Sequence, residues 1–194
     1  VDGQSVTVAW QWNVNGAPVP GATGSTLTGA SFDKGQTVTV TATPDDGLEA
    51  GAPVTSIGVL VDNTAPSITG VSISPTTGGE NTTFTCTPTG WSDVDPTDTT
   101  PGYTWAWTVG GVASGTTQTI TGASFDAGDA IACTATPTDG QDPGTPLTSV
   151  PVTVDNTPPS ITGVSINPTL AYTDTLLTAT PSGWNDVDPA DTTP

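Results

Sequence analysis

The sequence predicts an all-β chain of tandem β-sandwich repeats of about 93 residues, and three observations carry that prediction. First, Asp155–Pro168 repeats Asp62–Pro75 almost letter for letter at an offset of 93 residues. Gly90–Pro101 returns as Gly183–Pro194, and Thr28–Asp33 returns as Thr121–Asp126. A fixed long period marks a tandem array. Second, apolar and polar residues alternate over short runs rich in Thr, Val and Ile, as in half-buried strands. Third, no segment shows helical periodicity, and Gly, Pro, Asn and Asp punctuate the chain every ~8–12 residues, the spacing of a sandwich. The period divides the chain into the back part of one repeat (1–62), a complete repeat (63–155) and the front part of the next (156–194).

In the first piece, Val8, Trp10, Trp12 and Val14 alternate with Ala9, Gln11 and Asn13, which predicts a strand with one apolar face. Asn15-Gly16 then signals a tight turn. Leu27 and Phe32 mark a short returning segment. Thr37–Ala42 alternates threonine with Val38, Val40 and Ala42, a second strand. Pro44–Gly47 reads as a turn, and Ile57, Val59 and Val61 as a last strand running to Asp62. In the complete repeat, Ile68, Val71 and Ile73 predict strand A, broken at Gly70. Phe84 and Cys86 point inward from strand B. Tyr103, Trp105, Trp107 and Val109 line strand C. A strand is expected over Thr116–Ile120, another with Ile131, Cys133 and Ala135 inward, and a closing one over Leu147–Val154. The last piece repeats strands A and B and the aspartate loop.

Composition excludes several functions. The formal charge is −18, and Lys34 is the only basic residue. Nucleic-acid binding needs Lys and Arg to replace counterions, so no nucleic-acid partner is expected. An anionic membrane surface is disfavoured for the same reason, and no apolar run is long enough for insertion. So acidic a chain repels itself unless salt or bound cations screen it. Only 10% of residues are charged, however, which separates the chain from an acidic disordered tail. There is no His, no Arg and no activated Ser or Cys arrangement. The paired aspartates lie on a turn-rich loop without an apolar pocket to raise one pKa. No enzyme is expected.

The order Cys86, then Trp105 and Trp107, then Cys133 resembles the immunoglobulin pattern, in which a strand-C tryptophan packs against a disulfide joining strands B and F. Asp126-Ala-Gly128 resembles the turn that leads into immunoglobulin strand F. The resemblance implies a Cys86–Cys133 disulfide. In the flanking pieces Val40 stands where Cys133 does and Ala179 where Cys86 does. Two inward positions that become cysteine in one repeat fit a bonded pair, with two free buried thiols as the alternative. A disulfide implies an oxidising, extracytoplasmic location.

Asp93–Asp98 followed by Tyr103–Trp107 is similar to the PKD-like and bacterial Ig-like tandem repeats of large secreted bacterial surface proteins. Trp10–Gly16, Thr28–Gly35 and Val38–Pro44 are similar to them as well, so the likeness covers essentially the whole chain. Val109-Gly-Gly111 stands where PKD repeats carry Gly-Asp-Gly. The resemblance implies an extracellular or cell-surface structural protein: a stalk, an adhesin extender or a filament part. Its partners would be adjacent repeats or copies of itself in a filament or array.

In an immunoglobulin-like sandwich the start of strand A and the B–C and F–G loops share one pole. That places Asp62 and Asn63 near Asp93, Asp95 and Asp98, and near Asp139 and Asp142. The set recurs as Asp155, Asn156, Asp186, Asp188 and Asp191. Converging oxygens of this kind suit Ca²⁺, which takes ~6–8 oxygen ligands. The competing expectation is that these aspartates only cap turns by accepting backbone N–H bonds. The spacing is not that of an EF-hand loop.

Trp91 and Trp184 lie in the aspartate loops and are the surface candidates for sugar stacking, although packing is the expected role. An adhesin module that binds glycans or a cell-surface partner through its loops is thus the alternative function. A hydrolase accessory module is a third. Asn81-Thr-Thr83 is a formal N-glycosylation sequon, and outward threonines suit O-linked sugar. Neither end piece buries a core alone. A continuous repetitive chain that completes both is the expectation, and strand donation by a neighbouring subunit is the alternative.

Overall fold

The computed structural model describes residues 5–188. They fall into two compact units. Unit 1 holds the chain through Pro66 with Asp93–Pro101 and Asp139–Asp142; unit 2 holds Ser67–Ser92, Gly102–Thr138 and the chain from Pro143 on. Both are antiparallel β structures, and among the described residues the only helical element is a 3-10 turn at Gly29–Ser31. No described helix is long and apolar enough to cross a membrane.

In unit 1 the predicted first strand is β1 (Thr7–Val14). Asn15 and Gly16 follow with φ of 50° and 80°. A two-residue hairpin turn of this hand needs positive φ at both positions, which Asn-Gly tolerates. The turn folds β2 (Ala17–Pro18) back on β1, and β1 pairs along its length with β3 (Thr37–Asp45). Two short strands, β4 (Val54–Thr55) and β5 (Val59–Leu60), complete the sheet on β3.

Unit 2 contains two facing sheets. One is β6 (Gly70–Ser74), β7 (Phe84–Thr89) and β10 (Thr119–Ile120). The other joins β8 (Gly102–Val109), β9 (Val112–Gly115), β11 (Ala130–Thr138), β12 (Leu147–Thr148) and β13 (Val152–Thr153). Phe84, Cys86, Trp107, Ile131 and Cys133 are all but inaccessible in the core between them. Each large apolar side chain removed from water there contributes roughly 1.5–3 kcal/mol. The Trp107 indole donates to Thr117 O at 2.8 Å, so its one polar atom is satisfied inside the core. Cys86 and Cys133 are bonded to each other and pin β7 to β11. A separate hairpin, β14 (Gly163–Asn167) with β15 (Thr178–Ser182), ends the described chain.

Two expectations change in detail. The closing strand is split in both units, into β4 and β5 and into β12 and β13, because its register on the partner slips by one residue. Thr134 pairs with Thr148, but Ala130 pairs with Thr153. Ser149 bridges the slip: its N–H donates to Cys133 O at 2.8 Å, and its hydroxyl accepts the Cys133 N–H at 3.1 Å. Ser56 does the same for Val40. The strand expected over Thr116–Ile120 shortens to Thr119–Ile120, and β9 forms ahead of it through the Gly110-Gly111 turn.

The strands described in unit 1 correspond to β8, β9 and β11–β13 of unit 2, with one local change of offset. Trp12 pairs with Val40 as Trp107 pairs with Cys133. Trp12 also donates to Gly24 O at 2.9 Å, as Trp107 does to Thr117 O. The counterpart of Trp107 is therefore Trp12 rather than Val14.

Candidate functional site

The aspartate loop Asp93–Pro101 and the turn Asp139–Asp142 pack within unit 1 around Asn63 and Lys34. The loop is built locally. The Asp93 carboxylate accepts the Asp95 N–H at 2.9 Å, and Asp98 N–H bonds Asp95 O at 3.0 Å. Asp95 is buried and accepts the Thr64 N–H at 2.8 Å. The second turn is held the same way: Asp139 Oδ1 accepts the N–H groups of Gln141 and Asp142. These are the turn-capping roles expected of short acidic side chains.

A second layer of contacts joins the loops. Asn63 Nδ2 donates to Asp139 and to Asp142, each at 2.8 Å. Its Oδ1 accepts from Lys34 Nζ at 3.0 Å, and the same ammonium donates to Asp98 and to the Gln141 side chain. Asp93, Asp98 and Asp139 offer carboxylate oxygens within 4.8 Å of one another, a separation that one cation could span. Asp93 Oδ2 is buried without a hydrogen-bond partner. Oxygen donors of this kind fit a hard divalent cation such as Ca²⁺, whose coordination geometry is flexible. Asn63 amide donation, followed by the Asp142 and Gln141 N–H groups, lowers the Asp139 pKa to about 2. The hydrogen bond to Asp98 raises the Lys34 pKa above its ordinary value. Asp62 is exposed, and its carboxylate accepts the Asn63 N–H; among the described residues no bond joins it to the carboxylates of the cluster.

Unit 2 repeats the loop with a different charge balance. Asp186 accepts the Asp188 N–H at 3.1 Å, and buried Asp188 accepts the Thr157 N–H at 2.9 Å. Its other oxygen, Oδ1, is buried with no donor among the described residues. Asp155 binds the Gly78 N–H instead, at 3.1 Å, and Asn156 is exposed. Asp191 lies outside the described residues. The Lys34 position is Ala127 here, and the Ala127 N–H donates to Glu80 at 2.8 Å. Partial burial raises the Glu80 pKa, and the neighbouring Asp188 carboxylate adds to the rise.

Sequence reasoning missed Lys34, Gln141 and Glu80. Lys34 carried a usable signal: it is the single basic residue, in a turn whose copy has alanine. Of the loop tryptophans, Trp91 packs against the unit 2 core and Trp184 is partly exposed. No protein-family model and no curated protein matches the chain.

Proposed function

We propose that this chain is a non-enzymatic structural repeat of a secreted surface protein, of the PKD-like or bacterial Ig-like kind. In this reading it is a stalk or filament part outside the cell, and Ca²⁺ stiffens its aspartate loops. One observation carries the reading. The aspartate loop closes onto the start of its repeat through the same backbone bond twice, Thr64 to Asp95 and Thr157 to Asp188. A device that recurs with the period serves the array rather than one specialised site. The disulfide supports the extracellular part, since such bonds persist in oxidising compartments. The packed core of unit 2 supports the structural part.

A thermal melt of the chain with Ca²⁺ and with chelator tests the cation. A hundredfold excess over Kd would add about 2.7 kcal/mol to stability. The expected result is a rise in Tm with Ca²⁺ that Asp98→Asn reduces. No shift at millimolar Ca²⁺ would leave the aspartates as turn-formers only. Selective capture of the chain on a glycan array would instead favour the adhesin alternative.

A further inference from the structure

Three segments of unit 2 bring two carboxylates together. The Asp155 N–H donates to Gly78 O at 2.9 Å, and the Gly78 N–H donates to Asp155 Oδ2 at 3.1 Å. Two residues on, the Thr157 N–H donates to Asp188 Oδ2. The Glu80 carboxylate, anchored by the Ala127 N–H, lies at hydrogen-bonding range of the Asp188 carboxylate. Asp188 is only 4% exposed, and its Oδ1 is buried with no donor among the described residues. A buried anion is costly unless a donor or an opposite charge meets it. Here a second anion meets it, and exposed Asp126 adds further negative charge nearby.

The other copy of the loop resolves the same problem internally. Its Asp95, the counterpart of Asp188, has the Thr64 N–H and, close by, the Lys34 ammonium. Lys34 is the only basic residue of the chain and belongs to unit 1, so no basic side chain is left for the Glu80–Asp188 pair. The approach of Glu80 is also particular to its repeat. A Cβ at Gly79 would lie 2.5 Å from Thr157 Oγ1 and 3.0 Å from Asp155 O. Gly79 has no positive φ, so the glycine serves this close approach of backbone rather than a left-handed turn. One period on, Gly78-Gly79-Glu80 is replaced by Ala171-Tyr172-Thr173.

We propose that Glu80 and Asp188 are ligands of a divalent cation, with Ca²⁺ the expected occupant, held between Asp188 Oδ1 and the Glu80 oxygen that Ala127 leaves open. Two carboxylates match its charge, and water fills the remaining positions, since Ca²⁺ takes ~6–8 oxygens in flexible geometry. The cation does for Asp188 what the Lys34 ammonium does for Asp95. The inference rests on the calcium reading above and names a ligand, Glu80, that the aspartate motif does not contain.

Calorimetric titration of the full chain with Ca²⁺ at neutral pH tests it, using Glu80→Gln, Asp188→Asn, Asp98→Asn and, as a charge control, Glu49→Gln. Glu80→Gln keeps an acceptor for the Ala127 N–H. Asp188→Asn keeps one for the Thr157 N–H and turns an amide donor toward Glu80. Both variants should therefore melt no lower than wild type in chelator. Each should weaken the tightest calcium-binding event by about tenfold or more and reduce the calcium-induced rise in Tm. Asp98→Asn and Glu49→Gln should leave that event within about twofold, the scale of screened long-range charge. A Glu80→Gln isotherm that matches wild type would overturn the proposal. So would equal weakening by Glu49→Gln, which marks diffuse screening of the net charge. Loss in Asp98→Asn alone would overturn it and leave the calcium reading standing, whereas a wild type that binds no Ca²⁺ would remove both.

Discussion

Replacing the disulfide with the residues of the flanking pieces, Cys86→Ala with Cys133→Val, isolates what the bond contributes to unit 2. The two cysteines are 47 residues apart. Closing a loop of that length in the unfolded chain corresponds to about 4 kcal/mol at 25 °C in the chain-entropy account. Valine returns part of this through an added buried methyl, about 0.8 kcal/mol. The expected net loss is about 3 kcal/mol, a large share of the ~5–15 kcal/mol that typically holds a domain folded. Urea unfolding followed by tryptophan emission reads it directly. With a slope of ~1–3 kcal/mol per molar, the unit 2 midpoint should fall by roughly 1–3 M. Wild type with its disulfide reduced should fall similarly. A variant within about 1 kcal/mol of wild type would refute the reasoning. It would mean that packing of Phe84, Trp107 and Ile131 holds the two sheets together without the cross-link.

Three further predictions concern charge. Lys34→Met should lower the melting temperature of unit 1 by several degrees, because Asp98 loses its cation, and added salt should restore part of it. Asp139 has a folded pKa of about 2 against an ordinary 3.8. Its contribution is therefore intact above about pH 4 and lost as pH falls toward 2, and Asp139→Asn should flatten that part of an acid-unfolding curve. Glu80 is shifted upward from 4.5, so its contribution is favourable below that pH and lost as pH rises through the folded value. Glu80→Gln keeps an acceptor for the Ala127 N–H and should melt higher than wild type at pH 7; an equal or lower Tm would count against the Glu80–Asp188 repulsion.

The strands were legible because their signal is local. Alternation in Thr7–Val14 and Ala130–Thr138, and the Asn15-Gly16 turn, follow from residue type alone. The split closing strand was not, because it depends on a serine hydroxyl replacing a carbonyl across a register slip. Nothing in the pattern Thr-Ser-Val distinguishes that serine from any other. Backbone capping at Asp93–Asp95 and Asp139–Asp142, the expectation set against the metal site, is legible because Asx turns span only two or three residues. The partners of the second layer were not, because Lys34 reaches Asp98 across 64 positions and Gln141 across 107. The shared pole of the immunoglobulin-like sandwich groups Asp62 and Asn63 with the cluster, yet only the asparagine bonds to it.

Comparing the two aspartate loops separates what the motif requires from what it tolerates. The backbone bonds match closely, at 2.8 Å for Thr64 to Asp95 and 2.9 Å for Thr157 to Asp188. The charge environments are opposite. Lys34 supplies an ammonium among the acidic groups of unit 1. In unit 2 alanine holds that position, and Glu80 instead approaches Asp188. A loop whose geometry survives exchange of a cation for an anion is held by its N–H bonds, not by charge. Charge compensation is then a separate variable: unit 1 supplies a lysine side chain for it, and the alanine of unit 2 supplies none. Calcium sensitivity should therefore be uneven along the chain, weaker where a lysine already sits among the carboxylates and stronger where none does.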